Sequence, residues 1–311
     1  METPKLLDPS TTTDAEVADV YRLQRRVVKD AAPDMPFPTQ AEYIAELRNP
    51  TASRILREWV VEGGFASLMW EKDGLECYLT LCVAPESRRQ GLGTLLLEFV
   101  AEQARAAGRS SLISGFYDRT GAAFAEALGA RIGNVLLAST LPLPAQIAVE
   151  PVPGYTARSW QGTAPEELLG SWTKALAAIN DAPRTEGRSP TKFTVESIRD
   201  HERTAAAAGM QTRVTVALSA DGQVAASTEM VVGNDFGACA RTEETSVAAS
   251  HRRRGLARWI KEESLVSLMK DRPDVTMVQT YNDVGNAGML AVNQKVGFKS
   301  VGRFTQVVVE L

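Results

Sequence analysis

Histidine and cysteine are scarce in this chain, with two and three copies in 311 residues. Cys77, Cys82 and Cys239 form no metal-ligand spacing, and an odd number of cysteines reads as reduced thiols rather than a disulfide framework. His201 and His251 are the only imidazoles, and neither lies near a cysteine in sequence, which argues against a Cys–His nucleophile. No apolar run approaches the roughly 18 residues of a membrane span. The opening Met1-Glu2-Thr3-Pro4 has neither a basic nor an apolar leader segment, so a cytoplasmic protein without membrane contact is expected. Two phosphate motifs are missing as well: there is no Gly-Lys-Ser/Thr loop and no G-x-G-x-x-G turn.

What remains is ordinary globular material. The 44% apolar content suffices for two cores, and 311 residues suit two domains of about 150 each. A net charge of −4 and a pI near 5.5 argue against nucleic acid as partner and sit easily with a cationic small-molecule substrate.

The informative feature is a repeated phrase. Val83-Ala84-Pro85-Glu86-Ser87-Arg88-Arg89-Gln90-Gly91-Leu92-Gly93 returns as Val247-Ala248-Ala249-Ser250-His251-Arg252-Arg253-Arg254-Gly255-Leu256-Ala257. Each copy follows a strand-like segment and opens a helical one, expected over Thr94–Ala107 and Arg258–Lys270. A strand turning through a basic loop into a helix leaves backbone N–H groups unpaired at the positive end of the helix dipole, a nest for phosphate. Gly91 and Gly255 let an anion approach the backbone, Gly93 and Ala257 are small, and Arg88, Arg89 and Arg252 to Arg254 supply charge. Two copies in one structural context imply an internal duplication.

The phrase resembles the signature Gln/Arg-x-x-Gly-x-Gly/Ala of the GCN5-related N-acetyltransferase (GNAT) superfamily, matched by Arg88 to Gly93 and by Arg252 to Ala257. A second signature, an Asn about a dozen residues ahead of Gly-Phe, is matched by Asn286 and Gly297-Phe298. The resemblance covers nearly the whole chain as two copies, similar in arrangement to actinobacterial tandem acetyltransferases such as mycothiol synthase. It implies acetyl-CoA as cofactor, with the pyrophosphate on the loops Val83 with Arg88, Arg89, Gln90, Gly91, Leu92, Gly93 and Thr94, and Val247 with Arg252, Arg253, Arg254, Gly255, Leu256, Ala257 and Arg258. It also implies a pantetheine arm beside the preceding strand and direct attack by an amine, with no metal.

The element pattern agrees with two α/β units, each a mixed, mostly antiparallel twisted sheet flanked by helices. In the first, helices are expected at Asp14–Lys29, Thr39–Leu47 and Gly121–Leu128. A hairpin turns about Gly63-Gly64, strands run over Leu75–Val83 and Ser111–Phe116, and Val135–Leu141 closes the unit. Leu141–Pro153, with four prolines, reads as the linker. The second unit repeats the order: helices at Pro165–Ile179 and Val195–Ala208, strands at Arg213–Leu218, Gln223–Val232, Thr242–Val247 and Thr276–Thr280, a helix at Met289–Val296, and Thr305–Glu310 last. The expected domains are 1–145, which binds cofactor or is structural, and 146–311, which is catalytic. A duplicated chain permits a monomer; nothing in the sequence fixes the oligomeric state.

Aligning the motifs places Glu244 against Thr80 and Glu243 against Leu79, so only the second strand carries carboxylates beside its loop. An ammonium must lose a proton before attack, and Glu244 is the expected base, with Glu243 on the opposite sheet face. The competing reading is a solvated strand end. Asn286 is expected on the pantetheine arm, against Asp118 in the first half. Asn293 stands where the family places a tyrosine that protonates the departing sulfur; an amide cannot give up that proton. Helix capping and loop structure are the competing reading of both asparagines. Asp181 and Glu186, in the loop after the first helix of the second half, could hold a cationic amine, and turn chemistry explains them as well. Three functions follow as expectations: acetyl transfer to a small primary amine, acylation of a peptide or protein amine, and silent acyl-CoA binding.

Overall fold

A computed structural model describes residues 3–8, 10–35, 37–48, 54–71, 76–181, 190–207, 209–233 and 238–311. Two compact units form, one from Met1–Val135 and Gly302–Leu311 and the other from Leu136–Val301.

In the first unit, β1 (Lys5–Leu6) precedes helix α1 (Asp14–Ala31) and helix α2 (Gln40–Arg48). A reciprocal capping box starts α1: Thr13 accepts from the Glu16 N–H, and the Glu16 carboxylate accepts from the Thr13 N–H. The apolar side of α1 buries Val17 and Val20. Strands β2 (Arg54–Val61) and β3 (Gly64–Glu71) form the expected hairpin, and β4 (Tyr78–Val83) continues the antiparallel ladder. A short 3-10 turn leads into α3 (Leu92–Ala106), then β5 (Ser111–Phe116) and α4 (Arg119–Ala127). The core fills between sheet and α3, where Leu68, Leu96, Val100 and Leu112 are fully buried.

The second unit repeats this plan. Strand β6 (Arg131–Pro142) enters it, followed by β7 (Thr156–Gln161), α5 (Glu166–Leu176), a 3-10 turn to Asp181, and α6 (Val195–Ala207). Strands β8 (Gln211–Leu218), β9 (Val224–Val232) and β10 (Cys239–Val247) form an antiparallel ladder. Then come α7 (Leu256–Asp271), β11 (Met277–Asp283), α8 (Ala287–Val296) and β12 (Lys299–Glu310). Side chains of β8 alternate between two layers: Val214 and Val216 pack with α5 and α6, while Ala217 packs with Leu256, Trp259 and Ile260 of α7. The sheet thus has an α5/α6 face and an α7 face.

The closing strands differ from expectation. Val135–Leu141 does not close the first unit: Leu136–Pro142 pairs antiparallel with β11 in the second. The C-terminal Thr305–Glu310 pairs instead with β5 in the first. The sequence repeat is contiguous, whereas the compact units exchange their last strands. Both strands carry similar apolar alternation, so local sequence does not say which sheet each completes. Strand β7, unread in the sequence, is the edge strand beside β8.

Candidate active site

Each repeated loop is built the same way. The chain leaves β4 or β10, makes a 3-10 turn, and passes through a left-handed arginine: Arg89 has φ 61° and Arg253 φ 63°. It then enters its helix through a left-handed glycine, Gly91 at 83° and Gly255 at 88°. A side chain at such φ is uncommon and costs backbone strain, so its occurrence at matching positions of both copies marks a geometry the fold imposes twice. Neither helix start has a side-chain cap. The first intrahelical bonds run from the Leu95 N–H to the Gly91 carbonyl and from the Trp259 N–H to the Gly255 carbonyl. The N–H groups ahead of them are left for an anion.

The structure divides the arginines into two jobs. Arg88 donates through Nε to the Val83 carbonyl (3.2 Å) and pairs with Asp30 (3.0 Å). Arg252 donates to the Val247 carbonyl (3.1 Å) and pairs with Asp181 (2.5 Å). These two are guy-wires that hold the loop to the strand end and to the preceding helical region. Arg89 and Arg253 have no hydrogen-bond or ion-pair partner among the described residues, which leaves their charge for a ligand. Arg254 reaches the Ser250 carbonyl at 3.5 Å, and Arg258 pairs with the buried Glu262. Leu92 and Leu256 turn their side chains into the core, so only their N–H groups can serve an anion. Gln90 donates to the Glu86 carbonyl. Gly93 has room for a Cβ at ordinary contact with Phe124, in keeping with Ala257 at the same place. Thr94 lies in the first turn of α3. His251 is held by the Tyr155 hydroxyl at 2.8 Å.

Beside each loop, two parallel strands part. β10 pairs with β11 from Cys239/Met277 to Thr242/Thr280 and no further. Among the described residues β4 pairs with β5 only at Tyr78/Ile113. The two openings differ in their walls. In the first unit, β4 runs in unbroken register with β3. Ser114 reaches across to donate to the Leu79 carbonyl (2.9 Å), and Phe304 lies so close on Gly115 that a Cβ there would come within 2.3 Å of its ring. In the second unit, β10 carries a bulge between Thr242 and Thr245, one extra residue against β9. Glu243 and Glu244 therefore face the single residue Glu229, and the β9–β10 ladder is interrupted there.

Cross-strand register sorts the bulge side chains. Glu229 pairs with Val214, on the α5/α6 face, and His201 of α6 meets it at 2.8 Å. Thr245, Thr228 and Thr215 share a row on the α7 face. Glu244 is the residue between, close enough to Glu229 and His201 to feel both charges. It has no hydrogen-bond partner among the described residues. Burial, with the Glu229 charge second, raises its pKa to about 7, and His201 opposes that rise. The His201 pKa is itself raised by its bond to Glu229. Glu243 is exposed and paired with Arg241. The bulge breaks the simple alternation that placed Glu243 and Glu244 on opposite faces.

Asn286 caps α8, its side chain accepting from the Met289 N–H (3.2 Å); Asp118 caps α4 in the same way at Gly121 (2.9 Å). The two residues are structural counterparts. Asn293 is buried, its Nδ2 donating to Asn282 at 2.5 Å on β11, while Oδ1 has no partner. Glu186 lies outside the described residues. All three cysteines are buried and free, and burial pushes the Cys82 thiol up to about 12, which removes it from nucleophilic chemistry. No group of three or more His, Cys, Asp or Glu among the described residues could hold a metal. Among those residues no helix is long and apolar enough to cross a membrane.

Each repeated loop thus lies beside two parallel strands that part. Residues 53–129 match the acetyltransferase (GNAT) domain. That match lies within the first unit, and the chain as a whole has the fold of tandem GNAT proteins. A tandem GNAT protein from the clavulanic acid biosynthesis pathway aligns over 99% of this chain and 98% of its own, with a TM-score of 0.79 and 23% identity. A GCN5-related N-acetyltransferase from Sphaerobacter thermophilus aligns over 96% and 94%, with a TM-score of 0.72 and 18% identity. A fungal multi-domain β-N-acetylglucosaminidase described as containing a glucosamine N-acetyltransferase region aligns over 98% of this chain and 38% of its own (TM-score 0.69, 16% identity). No curated protein matches by sequence.

Sequence reasoning passed over Glu229 and weighed His201 only as a cysteine's partner; the two come from separate elements. It also passed over Lys261, although the repeat pairs that residue with Leu97.

Proposed function

We propose that the protein is an acetyl-CoA-dependent N-acyltransferase acting on a small primary amine, with the second unit catalytic and the first a retained cofactor-binding or structural copy. The observation that carries this reading is Glu244: a half-buried, unpaired carboxylate, raised to about 7, on a bulge beside the strand opening.

The residues fit the cofactor. The uncapped N–H groups and Arg253 suit a pyrophosphate, and the unpartnered Asn293 Oδ1, buried near the opening, awaits a donor such as an amide N–H. Bound there, acetyl-CoA would supply an acyl group activated as a thioester. Glu244 takes the proton of the incoming ammonium; with a pKa near 7 it is half ionised at neutral pH and matched to that task. Glu229 and Glu243 add negative charge that favours a cationic acceptor.

The first unit lacks this set. Its strand has Thr80 where β10 has Glu244, and Ala125 where α8 has Asn293, and Ser114 bridges its opening to the Leu79 carbonyl.

The test is turnover of acetyl-CoA with a panel of amines, amino sugars included because one structural neighbour is described as acting on glucosamine. Glu244→Gln should lower turnover about 10²–10⁴-fold. Coenzyme A binding without turnover of any amine would instead favour a silent acyl-CoA sensor.

A further inference from the structure

Lys261 is an anomaly of the second unit. It stands six residues after Gly255 on α7, where the first unit has the core residue Leu97 six residues after Gly91. Its side chain is buried, with 4% of the residue exposed. No carboxylate among the described residues meets it. Nζ lies 3.5 Å from the Thr245 hydroxyl and 5.6 Å from the centre of the Phe298 ring, and these are its partners among the described residues. A leucine would pack there without desolvating an amine, so a lysine at this place costs stability.

Its placement is specific. Thr245 is the first residue back in the ladder past the bulge, and it points to the α7 face. Glu244, its neighbour, is on the side of His201 and α6. Glu244 and Lys261 thus approach the bulged stretch of β10 from opposite faces of the sheet. Burial alone lowers the Lys261 pKa to about 7. At neutral pH about half of these amines carry a proton, as a proton donor working near pH 7 requires. Asn293, on the same side as α7, cannot lose a proton.

We propose that Lys261 is the general acid of the second unit, delivering its Nζ proton to the sulfur as coenzyme A departs. The inference rests on the acyltransferase reading. The acceptor nitrogen's lone pair forms a C–N bond to the acyl carbon, the C–S bond breaks with its electron pair going to sulfur, an N–H bond of the lysine breaks, and an S–H bond forms. The acceptor nitrogen loses two protons, one to Glu244 and one to water. Lysine recharges from solvent, and one proton is released net.

The test uses the full chain and the Lys261→Leu variant, which restores the residue of the first repeat, with Lys261→Met as the second variant. Both should be at least as stable as the parent at pH 7. The parent should lose stability as pH falls from about 10 through 7, because the unfolded lysine keeps its proton over that range and the folded one sheds it. The variants should lack that dependence. The decisive readout is ultraviolet thiolate absorbance of bound coenzyme A across pH. An ammonium beside the sulfur should make the bound thiol about tenfold or more acidic than free coenzyme A, an effect absent in both variants. Turnover should fall about 10²-fold or more in both. If parent and variants bind coenzyme A and show the same thiol titration, Lys261 is not at the sulfur and the proposal falls, with the acyltransferase reading intact. If the parent fails to bind coenzyme A at all, the acyltransferase reading itself fails and takes the proposal with it.

Discussion

The Asp181 carboxylate holds the Arg252 guanidinium at 2.5 Å, as Asp30 holds Arg88 at 3.0 Å in the first repeat. The paired residues are 71 apart in one case and 58 in the other, so the contact is preserved across a change of loop length. Asp181 is thus a strut for the second repeated loop. Both partners are substantially exposed, so the pair alone contributes little, on the order of 0.2–1 kcal/mol. Asp181→Ala should therefore weaken coenzyme A binding less than about fivefold and leave the KM of the amine unchanged. A raised amine KM with unchanged coenzyme A affinity, by calorimetry and steady-state kinetics, would return Asp181 to the substrate site.

Charges around Glu244 set its pH response. The acid limb of kcat/KM should have an apparent pKa near 7. Glu229→Gln should move that limb down and His201→Gln should move it up, since the first removes a like charge and the second an opposite one. A structural role for either residue would change rate without moving the limb.

Glu244 also bears on stability. It titrates near 7 when folded against its ordinary 4.5, so the folded chain holds the extra proton between those values. Its contribution is full below about 4.5 and lost as pH rises through 7. Glu244→Gln should raise the melting temperature at pH 8 and have no effect at pH 4, as thermal unfolding at the two pH values will show.

Restoring a tyrosine at position 293 should not rescue a proton donor. Asn293 is 3% exposed and tied to Asn282, and a ring there overpacks the layer between α8 and β11. Asn293→Tyr should cost about 1–3 kcal/mol by denaturant unfolding.

Much of this was readable from residue types. The repeated loop, the hairpin about Gly63-Gly64 and the helix after each loop depend on local chemistry, and the structure moves their ends by only a few residues. Gly91 and Gly255 act as N-caps, so each helix starts two residues ahead of the periodic apolar pattern. The bulge was not readable, because a one-residue slip between β9 and β10 leaves the repeat from Glu244 to Ala257 without a gap. The exchanged closing strands were hidden for a related reason: pairing partners are a tertiary choice. Lys261 was visible as a Leu97 counterpart, but a lysine inside a helix rich in charged residues reads as a solvated face until burial is known.

The claim that chemistry belongs to the second unit has a direct test. Gly91 and Gly255 share nearly the same left-handed conformation, at 83° and 88°, so an aspartate imposes the same backbone strain and the same negative charge at either loop. Steady-state turnover of acetyl-CoA with the best amine should be abolished by Gly255→Asp and largely kept by Gly91→Asp. The reverse pattern, in variants that both remain folded, would place the chemistry in the first unit and contradict the account.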